Sequence, residues 1–400
     1  MLREAQVPAT DVTTDRPEVL VVGSLGPARR RLSERAAHRA DVQLRFVDNL
    51  QRARVLLRDP SVEVPRAILL EQGPDVASFV SWCRGEARYF SVPVLLSVRR
   101  PTEASYAAAH AMGADDVVLA SDLGGLTRRL ARLADVDPSQ RPPTRMGRTL
   151  LVSADVTTRR LLGRVLRMAG FEVDFAGQID EALALADRRK DTSLLVLTAD
   201  PREESSDGFR ARLRRLREAH GAPELPAVVL CEDSEQLEQC RGELAREPSV
   251  AAIARRGPAD DLLFVANELL RPGVRELRAS DRLLHGTLCA FRPAGVFEHG
   301  YGLTYNLSRE GMFVRTLDPP PPGQGLWVEL RPPGHGRVVH LRAQLVWTKS
   351  LGGQGGAAPP GFGLRFEQEA CPPEDLRAYQ EAYERLRERV HGSGGSQSEA

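Results

Sequence analysis

The stretch Leu270-Arg-Pro-Gly-Val-Arg-Glu-Leu-Arg-Ala-Ser-Asp-Arg-Leu-Leu284 divides this 400-residue chain into two kinds of sequence. To its left, short β-branched or leucine-rich runs alternate with helical stretches. To its right the helical crossovers stop, and alternating runs separated by Gly and Pro take over. The first pattern belongs to parallel strands, whose neighbours need a helix between them. The second belongs to antiparallel strands joined by turns. Arg271-Pro-Gly273 therefore marks a domain junction.

Working leftward, strands are predicted at Val19–Val22, Val42–Val47, Ala67–Leu70, Val92–Leu96 and Val117–Leu119, each followed by a helix, the last of them Gly125–Leu133. A proline-rich polar segment, 136–147, reads as a linker. The same β-then-α pattern then repeats, with strands at Thr149–Val152, Glu172–Phe175, Leu194–Leu197, Ala227–Leu230 and Ala251–Ile253. An internal repeat of one unit strengthens both copies. Working rightward, strands fall at Leu283–Phe291, Met312–Thr316, Gly325–Leu330, Val338–Trp347 and Gly361–Phe366, followed by a helix at Pro373–Val390. The expected organisation is a disordered lead (1–16), an α/β domain (17–135), the linker, a second α/β domain (148–271), an all-β barrel with a C-terminal helix (274–391) and a disordered tail (392–400).

Composition narrows the function. With 42% hydrophobic and 27% charged residues and a formal net charge of +1, the chain has no global pull toward nucleic acid or an anionic membrane. All but two of its 55 basic residues are arginine, so nearly every cation carries a planar fork that pairs bidentately or stacks. The five cysteines are scattered without CxxC spacing, which argues against a zinc site or a disulfide framework and suits a reducing cytoplasm. No HExxH, nucleophile elbow or phosphate-loop motif occurs. The N-terminus lacks a signal-peptide core, and no apolar run reaches the ~18 residues of a membrane helix. The expectation is a cytoplasmic protein without a cofactor or metal, not an enzyme.

The two α/β copies, especially Arg159-Arg-Leu-Leu-Gly-Arg-Val-Leu-Arg-Met-Ala-Gly-Phe-Glu-Val173 and Gly113-Ala-Asp-Asp116, resemble the receiver domain of two-component signalling, a doubly wound flavodoxin-like fold. The resemblance implies a phosphoryl-accepting aspartate after the third strand, an acidic pair holding Mg²⁺ after the first, a Ser/Thr after the fourth and a lysine after the fifth. Neither copy has the set. In the first, Gly23 and Ser24 replace the pair, Glu71 the acceptor and Ala120 the lysine, leaving only Ser97. In the second, Ser153 and Ala154 replace the pair, Thr198 the acceptor, Cys231 the Ser/Thr and Arg255 the lysine; Asp155 and Asp200 are displaced. Both are read as pseudo-receivers, suited to protein contact or dimerisation through the face built by their fourth and fifth units. Glu71 either mimics a phosphorylated aspartate or reflects drift in a disused site.

Beyond the junction stand Arg278-Ala-Ser-Asp-Arg282 (RxxxR) and Asn306-Leu-Ser-Arg-Glu-Gly311 (NxSxxG), each just ahead of a predicted strand. RxxxR alone says little in so arginine-rich a chain; the two motifs in order say much more. Together they resemble the PilZ family, with Leu345-Val-Trp347 and Gly361-Phe-Gly-Leu-Arg-Phe366 in support, over a span from about Arg275 to Val390. The resemblance implies the ligand cyclic di-GMP, with two phosphates and two guanines. Arginine forks onto phosphate or the guanine O6/N7 edge, which suits Arg278 and Arg282. Asn306 offers an amide to a guanine edge and Ser308 a hydroxyl, while Gly311 permits close backbone approach or a positive φ. Each residue also has an ordinary role: ion pairs with Glu276 or Asp281 for the arginines, turn formation for Asn306, Ser308 and Gly311. Trp347 and Phe366 are expected in the core.

The resulting reading is a signalling effector that binds cyclic di-GMP through its C-terminal domain, with the Gly273–Arg282 segment folding onto the ligand. Expected partners are the nucleotide, a downstream protein and a second copy of the chain through the receiver-like units. Nucleic acid and membrane insertion are not expected. The alternative is a ligand-independent interaction scaffold, and a third reading, phosphorylation of Asp155 or Asp200, lacks the acidic pair it needs.

Overall fold

The computed structural model describes residues 16–136, 146–199, 206–244, 247, 249–255, 257–271, 280–352 and 358–392. All but one residue each of the predicted disordered lead and tail, most of the linker, Asp200 and the junction segment with Arg275 and Arg278 lie outside the described residues.

The first unit runs β1 (Glu18–Val22), α1 (Pro27–Arg39), β2 (Gln43–Val47), α2 (Leu50–Arg58), β3 (Ala67–Glu71), α3 (Val76–Gly85), β4 (Val94–Val98), α4 (Glu103–Ala111), β5 (Asp116–Leu119) and α5 (Leu123–Ala134). Its strands form a parallel sheet in the order β2-β1-β3-β4-β5. Helices cover both faces, so the central strands are apolar almost throughout. The second unit runs β6 (Arg148–Val152), α6 (Val156–Met168), β7 (Glu172–Ala176), α7 (Ile179–Arg188), β8 (Thr192–Thr198), α8 (Ser206–His220), β9 (Ala227–Cys231), α9 (Ser234–Leu244), β10 (Val250–Ala254) and α10 (Asp261–Leu270). Its order, β10-β9-β8-β6-β7, is the same topology. A local signal sets the start of α6, where Asp155 caps the helix by accepting from the amides of Thr157 and Thr158.

The third unit contains β11 (Leu283–Leu284), β12 (Leu288–Pro293), β13 (Gly300–Ser308), β14 (Gly311–Arg315), β15 (Gly325–Leu330), β16 (Val339–Lys349), β17 (Gly361–Phe366) and the helix α11 (Pro373–Gly392). Strands β12 to β17 close into a six-stranded antiparallel barrel, because β14 pairs with both β17 and β13; β11 pairs with the far end of β13, on the edge that β12 occupies further back. Closure removes the sheet edges that an open meander would expose. Phe291, Leu307, Val314, Val328, Leu341, Phe362 and Leu364 fill the interior, which Tyr379 and Tyr383 of α11 cover. The strand β13 and the break between β11 and β12 were not expected from the sequence.

The three units pack on one another, and the contacts centre on two adjacent aspartates. Asp115 accepts from Arg84 of α3 (2.8 Å) and from Arg164 of α6 (2.7 Å), joining the receiver-like units. Asp116 accepts from Arg129 of α5 (2.8 Å), the Leu317 amide (2.6 Å) and the Thr316 hydroxyl (3.2 Å), joining the first unit to the barrel. Asp318 meets Arg128 (2.9 Å) and Arg129 (3.4 Å), and Thr287 donates to Glu103 (2.7 Å). The barrel therefore rests on the α4–β5–α5 side of the first unit. It also reaches the second: Arg315 donates to Asp261 (2.6 Å) and the Tyr305 hydroxyl to the Asp260 carbonyl (2.8 Å). No helix among the described residues is long and apolar enough to cross a membrane.

Candidate functional site

Alternation along the barrel strands decides which side chains face outward. On β14, Met312 and Val314 join the core, leaving Gly311 and Phe313 outside; on β17, Phe362 and Leu364 point in, leaving Gly363 and Arg365 outside. These outward positions and their neighbours surround a cavity of about 310 Å³ whose lining includes Arg282, Asn306, Ser308, Gly311, Trp347 and Arg365. Four of the five residues singled out in the sequence thus line one cavity. The fifth, Arg278, lies outside the described residues.

Two β-bulges shape this cavity. Pairing between β13 and β14 shifts register between Thr304 and Asn306, and pairing between β16 and β17 shifts between Leu345 and Trp347. A bulge adds one residue on one strand and re-aims the side chains around it. Here the first sends Tyr305 toward the second unit and Asn306 to the cavity. The second puts Trp347 outside: it is 38% exposed, and its ring lies 4.8 Å from that of Phe313. The expectation of a core tryptophan is therefore corrected, whereas Phe366 is buried as expected. Gly363 makes room for the indole, since a Cβ there would run into it.

Asn306 and Ser308 sit within β13 rather than in a loop ahead of a strand, and the turn proper is Arg309-Glu310. Asn306 is buried and Ser308 half-buried, while Arg282, just before β11, is exposed. Gly311 has no positive φ; a Cβ there would run into the Leu364 carbonyl, so this glycine serves the close approach of β14 to β17. Arg365, paired in register with Gly311, is the basic residue that motif reasoning missed. The signal available was its odd place in the alternation of Gly361–Phe366. Against Arg282 and Arg365 the cavity lining includes one acid, Glu310, so its field favours an anion.

Among the described residues, the receiver-like units hold other groups at the positions of phosphoryl chemistry. In the first, Glu71 is bound by Arg29, which also donates to Ser97 (3.0 Å), so the acceptor position is neutralised from within. Gly23 packs against Glu71, leaving no acidic pair beside it. In the second, Arg255 pairs with Glu232 (2.9 Å) and more distantly with Asp155 (3.8 Å), whose carboxylate is occupied in capping α6. A hydrogen bond with the free Cys240 thiol, together with burial, pushes the Cys231 thiol up. Among the described residues no group of three or more His, Cys, Asp or Glu is arranged to hold a metal ion.

Comparison with known proteins places these units. The PilZ domain family matches residues 276–379. Comparison with curated proteins returns no significant match. Among solved structures, the chain is similar to the Bacillus subtilis inhibitor of motility MotI/DgrA, at 18% identity over 28% of this chain and 53% of that one, with a TM-score of 0.24. It thus spans about half the length of that protein. It is also similar to the PilZ domain of YcgR from Escherichia coli, solved with c-di-GMP, at 20% identity over 29% of this chain and 95% of that one (TM-score 0.23). Vibrio cholerae chemotaxis response regulator CheY4 matches at 16% identity over 30% of this chain and 98% of that one (TM-score 0.27). Residues 276–379 of this chain are a PilZ domain, carried behind two receiver-like α/β units.

Proposed function

We propose that this protein is a cytoplasmic signalling effector, not an enzyme, whose barrel cavity binds cyclic di-GMP and whose receiver-like units pass the occupied state to a downstream protein. One observation carries the reading: Arg282 and the Asn306–Gly311 motif, 24 positions apart at their nearest, line a single cavity. Arg282 and Arg365 supply forks for phosphate or a guanine edge, with Arg278 as the further arginine of the motif. Asn306 offers an amide and Ser308 a hydroxyl, and the exposed Trp347 face offers a platform for a purine. Each arginine contact contributes about 1.5–3 kcal/mol, so losing one weakens binding tenfold or more.

Transmission has a material route. A row of rings runs from the cavity wall through Trp347, Phe313 and Tyr305 to Phe264 of α10, with centroid spacings of 4.8, 5.8 and 5.9 Å. The same strand, β14, carries cavity residues at one end and the Arg315 ion pair to the second unit at the other. Because the barrel covers the α4–β5–α5 side of the first unit, a partner or second copy of the chain meets another surface. The reading is tested by calorimetric titration of the full chain with cyclic di-GMP, repeated on Arg282→Ala. Binding by the parent, weakened at least tenfold in the variant, supports it. No heat from the parent would leave a ligand-independent scaffold.

A further inference from the structure

The C-terminal helix lies outside both motifs, yet one of its side chains reaches the backbone of each. Tyr379 and Tyr383 are four residues apart on α11, hence on one face, and both are almost fully buried. The Tyr379 hydroxyl donates to the Ser308 carbonyl (2.9 Å) and is shared with the Gly311 carbonyl (3.2 Å). The Ser308 hydroxyl donates to the same Gly311 carbonyl at 3.1 Å. One turn further along, the Tyr383 hydroxyl donates to the carbonyl of Asp281 (2.8 Å), the residue immediately before Arg282 and next to Ser280, another residue of the cavity wall. One rigid helix thus holds both lips of the cavity through main-chain oxygens.

We infer that Tyr379 and Tyr383 are positioning residues for the cavity: Tyr379 fixes the β13–β14 turn and Tyr383 fixes the approach of Arg282, so the two motifs are held in register before a ligand arrives. The inference rests on the reading of the cavity as a cyclic di-GMP site. Physically, a buried phenol seeks a partner, and a main-chain carbonyl has two lone pairs with which to accept one. Burial pushes the Tyr379 phenol well above its ordinary range, and Tyr383 is raised for the same reason, so both remain donors. The Tyr379 ring is itself braced edge-on against Phe366, with centroids 4.8 Å apart and planes at 79°. Neither hydroxyl needs to touch the ligand. Their work is to limit the conformations that binding would otherwise have to freeze.

The test uses Tyr383→Phe and Tyr379→Phe in the full chain, which keep the rings and remove only the hydroxyls. Two measurements are made: titration with cyclic di-GMP, and hydrogen exchange of backbone amides without ligand. Tyr383→Phe is expected to weaken binding roughly three- to tenfold, the scale of one lost hydrogen bond. Faster exchange should be confined to the segment around residues 281–284, with the thermal midpoint near that of the parent. Tyr379→Phe should act likewise, with faster exchange around 308–311. Unchanged exchange in both segments, or an affinity within twofold of the parent for both variants, overturns the inference. If the parent binds no nucleotide, the reading of the cavity fails instead, and the exchange measurement still decides whether the helix holds the two lips.

Discussion

At the scale of single residues, the cavity joins positions fixed by type to positions fixed only by geometry. Arg282, Asn306, Ser308 and Gly311 could be named from the sequence because the spacing of residue types was itself the signal. Arg365 could be reached only through its alternation with Phe362, Leu364 and Phe366, and Trp347 could not be reached at all. A shift of one residue exchanges the two faces of a strand, and a bulge makes that shift without announcing it in the apolar pattern. The correction leads to a prediction: Trp347→Ala should weaken cyclic di-GMP binding by about five- to a hundredfold, the scale of one stacked base, measured by the same titration. Trp347→Phe should recover part of the loss. Gly311→Ala belongs to the fold more than to the ligand. Its methyl group would meet the Leu364 carbonyl, so the variant should lose about 1–3 kcal/mol of stability by overpacking, read as a lower midpoint in thermal unfolding.

At the scale of elements, β1 to β10 and α1 to α10 were legible because apolar runs and helical periodicity do not depend on partners. The barrel was less so. Strand β13 went unread because glycines interrupt it and polar residues serve the outer face: Gly300 makes room for the Phe291 ring, Gly302 for the backbone of Arg315, and Asn306 faces the cavity. Such residues look like loop until the neighbouring strand is known. The segment just after β14 is similarly opaque in sequence, yet Thr316, Leu317 and Asp318 form the plug between barrel and first unit. Asp318 is buried against Arg129 and also faces Arg128 and Arg132. Asp318→Ala leaves those cations short of their counter-charge and should cost about 3–5 kcal/mol. Urea unfolding followed by tryptophan fluorescence should show a lower midpoint, with the barrel separating from the first unit.

At the scale of the molecule, three units that the sequence presents as beads meet at Asp115 and Asp116. Neither aspartate was assigned this work, because long-range partners leave no trace in local pattern. Burial alone would raise the Asp115 carboxyl, but Arg164 and Arg84 outweigh it and hold the group below its ordinary value. A depressed carboxyl contributes stability above its unfolded pKa of about 3.9, and that contribution is lost as pH falls through the lower folded value. Asp115→Asn should therefore cost about 3–5 kcal/mol at neutral pH, leaving buried arginines under-compensated. In urea titrations at a series of pH values, the gap between variant and parent should narrow below about pH 4. Asp116 is shifted the other way, raised by burial, so it does not share this acid sensitivity. The adjacency of the two has a further consequence. Asp115 stands in the bend before β5 and Asp116 is the first residue of the strand, so one carboxylate addresses α6 and the next addresses the barrel. Any displacement of β5 against β4 therefore loosens both joints together, since the start of one strand carries the carboxylate of each.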